Sequence, residues 1–319
     1  MNFIAKATLQ NTISWLPRSI SDLLYFSIQR RFGGLKNFDP STRIAAGLYI
    51  CQLFRSFNLE LRGMKVFELG SGRAPIIPLT LWLHGVSEVI TVDLNPYLSP
   101  TIFNDTISWL RGQPNHFELF GNDVLHERLN ILLSAPSFST KTSLVNYLNS
   151  LGIRYMAPCD AADLPFPGNY FDAHISYTVL EHIPISSLNS ILREGLRILN
   201  PQGVFVHNID YSDHFSHSDF SISPINFLQY SNTVFSFLAG NRFMYMNRLR
   251  VDDFKSLFLD LNLDILAHKP VVSSMLLDQI LSNNIPFKLH HDFYDKSPEC
   301  LATLSSWFCL GNPSRSLHD

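Results

Sequence analysis

The stretch VFELGSGRAP, residues 66–75, decides the fold class of this 319-residue chain. An apolar run typical of a buried strand breaks into a Gly-Ser-Gly turn, and a helical pattern begins at Pro75. Glycines let backbone N–H groups approach a ligand closely, and the start of the following helix offers a partly positive end to a carboxylate or phosphate. The stretch therefore predicts a strand, a ligand-binding loop and a helix in succession.

Around this stretch, short β-branched or aromatic runs alternate with longer helical patterns. That alternation is typical of a mainly parallel sheet covered by helices. The runs predict strands at Lys65–Leu69, Glu88–Asp93, Ile153–Pro158, Phe171–Tyr177, Gly203–Ile209, Ile265–Val272 and Leu301–Leu310. We expect an α/β fold with a Rossmann-like, doubly wound, seven-stranded and mainly parallel sheet.

Two stretches are longer than the connections of such a sheet require. Residues 96–151 predict a helical insertion, and residues 211–250, rich in Ser, Phe, Tyr and Asn, predict a lid. The expected organisation is an N-terminal helical extension over residues 1–37, one domain over residues 38–310 and a tail over residues 311–319.

Composition excludes several classes of protein. Hydrophobic residues make up 46% and charged residues 16%, which is unlike a disordered chain. The net charge is −3 and basic residues are scattered, so no basic stripe predicts nucleic-acid binding. Four cysteines without C-x-x-C spacing predict reduced thiols, and no apolar run reaches the roughly 18 residues of a membrane span. We expect a cytoplasmic protein whose oligomeric state is open.

Residues 1–31 combine dispersed apolar side chains with a basic end at Arg30 and Arg31. This pattern is compatible with a peripheral membrane contact, in which an amphipathic helix lies on a lipid surface. A helix packed over the domain is the favoured alternative, because surface helices of globular proteins commonly carry an apolar stripe.

An acidic residue at the end of the second strand indicates the kind of ligand. Asp93 lies 21 residues beyond Gly72, where a carboxylate can bind both hydroxyls of a ribose. The dinucleotide fingerprint would require Gly or Ala at position 75, and this chain has Pro75. The pattern therefore favours a nucleoside other than a dinucleotide.

Glu68-Leu69-Gly70-Ser71-Gly72 resembles the first motif of class I S-adenosylmethionine-dependent methyltransferases, and later segments resemble the type-11 group in the same order. The segments are Val92–Asn95, Cys159–Phe166 and Phe171–His182. The resemblance implies a sheet whose last strand is antiparallel and S-adenosylmethionine as cofactor. It implies that Glu68 faces the cofactor's amino group, Asp93 the ribose, and Asp160 with Ala161 the adenine. The implied cofactor-binding set is Glu68, Gly70, Ser71, Gly72, Asp93, Leu94, Asp160, Ala161 and Tyr177.

Candidate bases follow the fifth strand, where residues 207–219 hold three histidines and three aspartates. Histidine is the natural base near neutral pH, so we expect His207, Asp210 and His214 to be catalytic, in O-methylation of a small hydroxylated acceptor such as a sugar or lipid-linked precursor. A hydrogen-bonded structural loop is the alternative. The spacing matches no closed tetrahedral metal template, so no metal is expected. His182, which follows Glu181, is as compatible with fixing a loop as with acting as a base.

Two rival functions remain open from the sequence. A nicotinamide-dependent oxidoreductase would use a similar fold, although Glu68 and Pro75 disfavour it. A non-catalytic cofactor-binding scaffold would keep the same binding residues and lose only the transfer. The expected partners are a small-molecule acceptor and no nucleic acid.

Overall fold

The computed structural model describes residues 2–312, so residues 313–319 of the predicted tail lie outside the described residues. Seven strands form one mixed sheet in the order β3-β2-β1-β4-β5-β7-β6. They are β1 (Lys65–Leu69), β2 (Glu88–Val92), β3 (Ile153–Met156), β4 (Phe171–Tyr177), β5 (Leu199–Asp210), β6 (Asp264–Val272) and β7 (Thr303–Gly311). The doubly wound, mainly parallel α/β fold expected from the sequence is confirmed.

Thirteen α-helices accompany these strands within residues 2–312. They are α1 (Phe3–Ser14), α2 (Arg18–Phe32), α3 (Ser41–Ser56), α4 (Ile76–Leu83), α5 (Pro100–Arg111), α6 (His116–Phe120), α7 (His126–Leu133), α8 (Lys141–Ser150), α9 (Ile185–Ile198), α10 (Asn232–Ala239), α11 (Val251–Asp260), α12 (Ser274–Leu281) and α13 (Pro298–Ala302). Helices α5 to α8 occupy the predicted helical insertion. No helix in the described part of the chain has the length and apolarity to cross a bilayer.

The chain divides into two compact units. Unit 1 comprises residues 1–36, 178–189 and 207–308, and unit 2 comprises residues 37–177, 190–206 and 309–319. This division into units differs from the predicted division into domains, which stays a prediction.

Unit 2 contains the parallel part of the sheet. Strand β1 pairs in parallel with β2 and β4, and β2 pairs in parallel with β3. The last four residues of both β1 and β2 are buried, as expected for parallel strands that helices cover on both faces. Leu69 is opposite Val92 on one side and Ser176 on the other, so three strands end at the same edge of the sheet.

Unit 1 has a hydrophobic cluster built largely from the predicted lid. The segment 211–250 contributes seven of its apolar side chains beyond Phe215, and α1, α12 and α13 contribute others. The seven are Ile225, Phe227, Leu228, Phe235, Ala239, Met244 and Met246. The aromatic composition of this segment thus serves a packed core, and its role as a lid stays a prediction.

Two predicted strand starts were wrong by more than one residue. The sequence predicts that the fifth strand begins at Gly203, whereas β5 already begins at Leu199 and includes Pro201. Asn200 is half-buried, and Pro201 and Gln202 are exposed at the start of the strand, where a missing N–H costs little. The sequence predicts that the last strand begins at Leu301, whereas Leu301 and Ala302 belong to α13 and β7 begins at Thr303.

Candidate functional site

The glycine loop between β1 and α4 is tied to the end of β2 through its backbone. Gly70 and Gly72 have φ of 83° and 63°, a left-handed conformation that glycine adopts without strain. The Gly70 amide donates to the carbonyl of Val92 at 2.8 Å, and the Gly72 amide donates to Asp93 Oδ2 at 3.1 Å. A Cβ at Gly72 would meet no heavy atom within 4 Å, so the loop leaves space beside its backbone.

Asp93 connects this loop to a second turn. Its Oδ1 accepts from the Asn95 amide at 3.1 Å, and its carbonyl accepts from the Cys159 amide at 3.0 Å. Burial raises the pKa of Asp93, and the hydrogen bonds from Asn95 and Gly72 oppose that shift. The three segments that the sequence singled out for a nucleoside therefore meet at one residue, Asp93.

The residues beside Asp93 differ in exposure. Leu94 is 65% exposed, which presents an apolar side chain directly after the carboxylate. Asp160 is exposed, and its Oδ1 accepts from the Ala162 amide at 2.9 Å, while Ala161 is buried. The half-buried Tyr177 closes β4 one residue after Ser176, which is opposite Leu69.

Glu68 lies inside unit 2 with little access to solvent. It is 3% exposed, and Thr91 Oγ1 donates a short hydrogen bond to its Oε2. Burial raises the pKa of Glu68 to about 8, although Thr91 and the positive charge of Arg43 both lower it. A carboxylate that burial makes hard to ionise gains most from a cation brought next to it.

A second constellation, in unit 1, is the polar cluster of Asp210, Ser212, His214 and His217. Asp210 Oδ1 accepts from the Ser212 amide at 2.8 Å and from its hydroxyl at 2.6 Å, and Asp210 Oδ2 accepts from His214 Nε2 at 3.2 Å. Because the Ser212 hydroxyl gives its one proton to Asp210, His217 Nε2 must donate to that oxygen across 2.8 Å. Burial alone would raise the pKa of Asp210, but the bonds from His214 and Ser212 outweigh it and the pKa is lowered.

Comparison with known families finds one match within the chain. Residues 138–207 match the family model of the methyltransferase domain, type 11. The match spans β3, β4 and α9 and ends within β5, and the glycine loop and Asp93 lie outside it. This segment therefore matches part of a methyltransferase domain of type 11.

Solved structures similar to this chain share little sequence with it. The PH0226 protein from Pyrococcus horikoshii OT3 is 14% identical, with a TM-score of 0.48 over 90% of this chain and 98% of that chain. An S-adenosylmethionine-dependent methyltransferase from Mesorhizobium loti is 13% identical, with a TM-score of 0.42 over 81% and 95%. The [4+2]-cyclase SpnF is 14% identical, with a TM-score of 0.44 over 84% and 82%. A comparison with curated proteins gives no match.

The residues at the glycine loop fit S-adenosylmethionine, the cofactor that the resemblance implies. The Ser71 hydroxyl is buried in the glycine loop and has no hydrogen-bond partner, so a polar group bound at the loop would satisfy it. The space at Gly72 admits such a group, and Glu68 is a buried acid suited to a cation. These observations agree with a ligand that has an amino-acid end and a ribose.

Sequence reasoning underrated the turn after β4, a 3₁₀ turn of Leu180–His182. Asn247 holds this turn through three hydrogen bonds. Its side-chain Nδ2 donates to the carbonyls of Leu180 at 2.8 Å and Ile183 at 3.0 Å, and its backbone N–H donates to the carbonyl of Glu181 at 2.8 Å. The ring of His182 lies 4.9 Å from that of His214. The turn thus contacts the polar cluster, a proximity that residue spacing does not show.

His207 occupies a different environment from Asp210 and His214. It is fully buried, and its ring stacks beside Phe258 at 6.4 Å. Asp213, another acid of the predicted constellation, accepts from the Phe215 amide at 2.9 Å and from Asn226 at 3.4 Å, so it shapes the loop. The structure brings Asp210 and His214 together, and a catalytic role for His207 stays a prediction.

Proposed function

We propose that this methyltransferase moves the methyl group of S-adenosylmethionine to an oxygen of a small hydroxylated acceptor, such as a sugar or lipid-linked precursor. The observation that carries the proposal is the meeting of the glycine loop, the end of β2 and the 159–162 turn at Asp93. A carboxylate at this position can bind ribose hydroxyls, which defines a nucleoside site.

Each end of the cofactor has a complementary group in the proposal. Asp93 binds the ribose hydroxyls, and Leu94 packs on one face of the adenine. The Ser71 hydroxyl and backbone amide bind the carboxylate of the methionine part, and Glu68 pairs with its ammonium group. Asp160 and Ala161 contact the edge of the adenine, and Tyr177 lies beside the sulfonium.

The reaction is an in-line displacement that needs alignment and removal of one proton. The acceptor oxygen forms a bond to the methyl carbon, and the carbon–sulfur bond breaks with its electron pair going to sulfur, which leaves neutral S-adenosylhomocysteine. The hydroxyl proton passes to Asp210. His214 positions Asp210 through the 3.2 Å hydrogen bond.

A labelled-methyl transfer assay tests this function. The protein is incubated with S-adenosylmethionine carrying a labelled methyl group and with glycan, lipid and small-molecule extracts. We expect a labelled product whose label resists base but is lost on ether cleavage, as an O-methyl ether requires. Asp93→Ala should abolish labelling, whereas Asp123→Asn, which removes only an exposed ion pair with Arg55, should not. Label on nitrogen or carbon would refute O-methylation, and undiminished labelling by Asp93→Ala would refute the cofactor site.

We also propose that α1 and α2 bind an anionic lipid surface, which supports a lipid-linked acceptor. Six large apolar side chains between residues 15 and 32 are exposed: Trp15 (84%), Leu16 (39%), Ile20 (54%), Leu23 (70%), Leu24 (41%) and Phe32 (78%). Ile20, Leu23 and Leu24 are spaced to share one face of α2. We call these six side chains the apolar patch.

The charge around the apolar patch complements anionic lipid. Residues 1–36 hold five basic residues and one acidic residue, a net charge of +4 in a chain whose net charge is −3. A basic helix with exposed apolar side chains binds such surfaces through apolar burial and electrostatic attraction together.

Co-sedimentation with vesicles tests the lipid proposal. We expect the protein to sediment with phosphatidylcholine vesicles containing about 30% phosphatidylserine and to be released by salt. Leu23→Glu should reduce binding several-fold. Leu281→Glu, an equally drastic change at a side chain that is 62% exposed on α12, should not. Absence of sedimentation, or equal loss in both variants, would refute the proposal.

A further inference from the structure

The turn after β4 buries a carboxylate that lacks a balancing charge. Glu181 is 2% exposed, and neither of its carboxylate oxygens makes a well-formed hydrogen bond. Burial raises the pKa of Glu181, and the backbone amides of Glu181 itself and of Asp210 only partly oppose that shift. Burying an isolated carboxylate costs free energy, so we expect a positively charged group to bind beside Glu181.

The neighbouring histidine is held in the form that a metal ion requires. His182 Nδ1 lies 2.7 Å from the carbonyl oxygen of Tyr245. Since a carbonyl only accepts, Nδ1 carries the proton and Nε2 keeps its lone pair. A ring nitrogen that donates to a backbone carbonyl is the usual outer support of a metal-binding histidine.

His214 completes a group of three donors. Donor atoms of Glu181, His182 and His214 all lie within 4.8 Å of one another. Three ligand atoms at about 2.0–2.2 Å from one tetrahedral ion lie about 3.3–3.6 Å apart, so side-chain rotation would have to bring the donors closer by up to about 1.5 Å. Asp210 accepts from His214, as a carboxylate behind a metal-bound histidine does.

We propose that Glu181, His182 and His214 bind one divalent first-row transition metal ion, such as Zn²⁺ or Mn²⁺. Two imidazoles and one carboxylate are a donor set that such ions accept, and three protein ligands leave positions open for a further oxygen. This inference rests on the proposed function. The acceptor hydroxyl would bind the ion at one of the coordination positions that the protein leaves open. A cation there lowers the pKa of the hydroxyl and eases passage of its proton to Asp210.

Other groups of potential ligands are weaker. His290, His291 and Asp292 also bring three donors together, but two of the three are exposed, and His290 and His291 each lie within 3.3 Å of an Asp292 oxygen. That group has no buried unpartnered side chain, so it serves as the control site.

Equilibrium dialysis of the full chain against Zn²⁺ and Mn²⁺, with metal counted by mass spectrometry, tests the inference. We expect one equivalent of at least one of the two ions bound by the wild-type protein. Glu181→Gln and His182→Ala should each weaken binding at least tenfold, and His291→Ala should leave it unchanged.

Thermal unfolding separates metal binding from folding. Without metal, Glu181→Gln should unfold at the same temperature as the wild type or higher, because it removes an uncompensated buried charge. Added metal should raise the unfolding temperature of the wild-type protein and not that of Glu181→Gln.

The inference would be overturned by failure of both ions to bind below about 1 mM, by full binding in Glu181→Gln, or by loss of binding in His291→Ala. Neither experiment contains S-adenosylmethionine or an acceptor. A failure of the metal site is therefore distinguishable from a failure of the proposed methyl transfer.

Discussion

In unit 2 the charged groups of the site lie within or shortly after strands, whereas in unit 1 they come together from distant segments. Asp93 follows β2 immediately and is bonded to the glycine loop that follows β1. In unit 1, the turn containing Glu181 is held by Asn247, 66 residues later. Backbone topology therefore builds the first site, and tertiary packing of side chains builds the second.

Unit 1 also holds a buried positive charge through backbone carbonyls. Arg250 of unit 1 is fully buried and donates to the carbonyls of four residues rather than to an acid. The acceptors are Tyr211 at 2.5 Å, Cys300 at 3.3 Å, Leu301 at 2.8 Å and Thr303 at 2.8 Å. One side chain thus connects the segment after β5 with the residues around α13.

Removal of this connection should give the largest effect. Arg250→Met leaves four carbonyls without their donor, and we expect the free energy of unfolding to fall by about 3–5 kcal/mol. Urea denaturation monitored by circular dichroism measures the loss. Arg18→Met, at an exposed position of α2, should change stability by less than about 0.5 kcal/mol. Equal stability of the two variants would contradict the role given to Arg250.

The contrast between the units explains which features could be predicted from the sequence. The alternation of apolar runs and helices yields the sheet, and the bounds of β1 and β4 agree with the prediction at every residue. Asp93 could be found because a parallel strand delivers its following residue to a known edge of the sheet. These features depend on local sequence and topology.

The polar cluster could be predicted from the sequence only in part. Asp210 and His214 are four residues apart, and the sequence pairs them. Glu181 and His182 precede them by about thirty residues in the chain, and no periodicity indicates that a turn folds onto the cluster. The predicted absence of a metal followed from spacing within residues 207–219 alone, which omits those two donors.

A pH experiment sharpens the comparison at the buried acid of unit 2. The pKa of Glu68 is about 8 in the folded protein and near 4.5 in an unfolded chain, so the folded state binds the proton more tightly. The contribution of Glu68 to stability is therefore fully present below about pH 4.5 and declines as pH rises towards 8.

Glu68→Gln should remove this part of the pH dependence. Urea denaturation at several pH values would show a slope of stability against pH that is less negative in the variant, by up to about 1.4 kcal/mol per pH unit. Calorimetry in buffers of different ionisation enthalpy should also show proton release when S-adenosylmethionine binds the wild type at pH 7, and none in Glu68→Gln. Identical slopes in the two proteins would contradict the buried, protonated state of Glu68.

A matched pair of glycines provides the smallest expected effect. Gly72 and Gly63 both have positive φ, of 63° and 85°, and a Cβ at either would meet no atom within 4 Å. Alanine at each position should cost about 1–2 kcal/mol of stability for the left-handed backbone. Only Gly72→Ala should also weaken S-adenosylmethionine binding, by roughly tenfold or more, because its new methyl group would enter the cofactor space. Equal affinity in both variants, measured by calorimetry, would remove the loop from the site.

The most direct measurement is a crystal structure of the protein with S-adenosylmethionine. The proposal predicts both ribose hydroxyls within hydrogen-bond distance of the Asp93 carboxylate, with the methionine carboxylate at the hydroxyl and backbone amide of Ser71. A cofactor bound elsewhere, or one whose ribose faces residues other than Asp93, would contradict it.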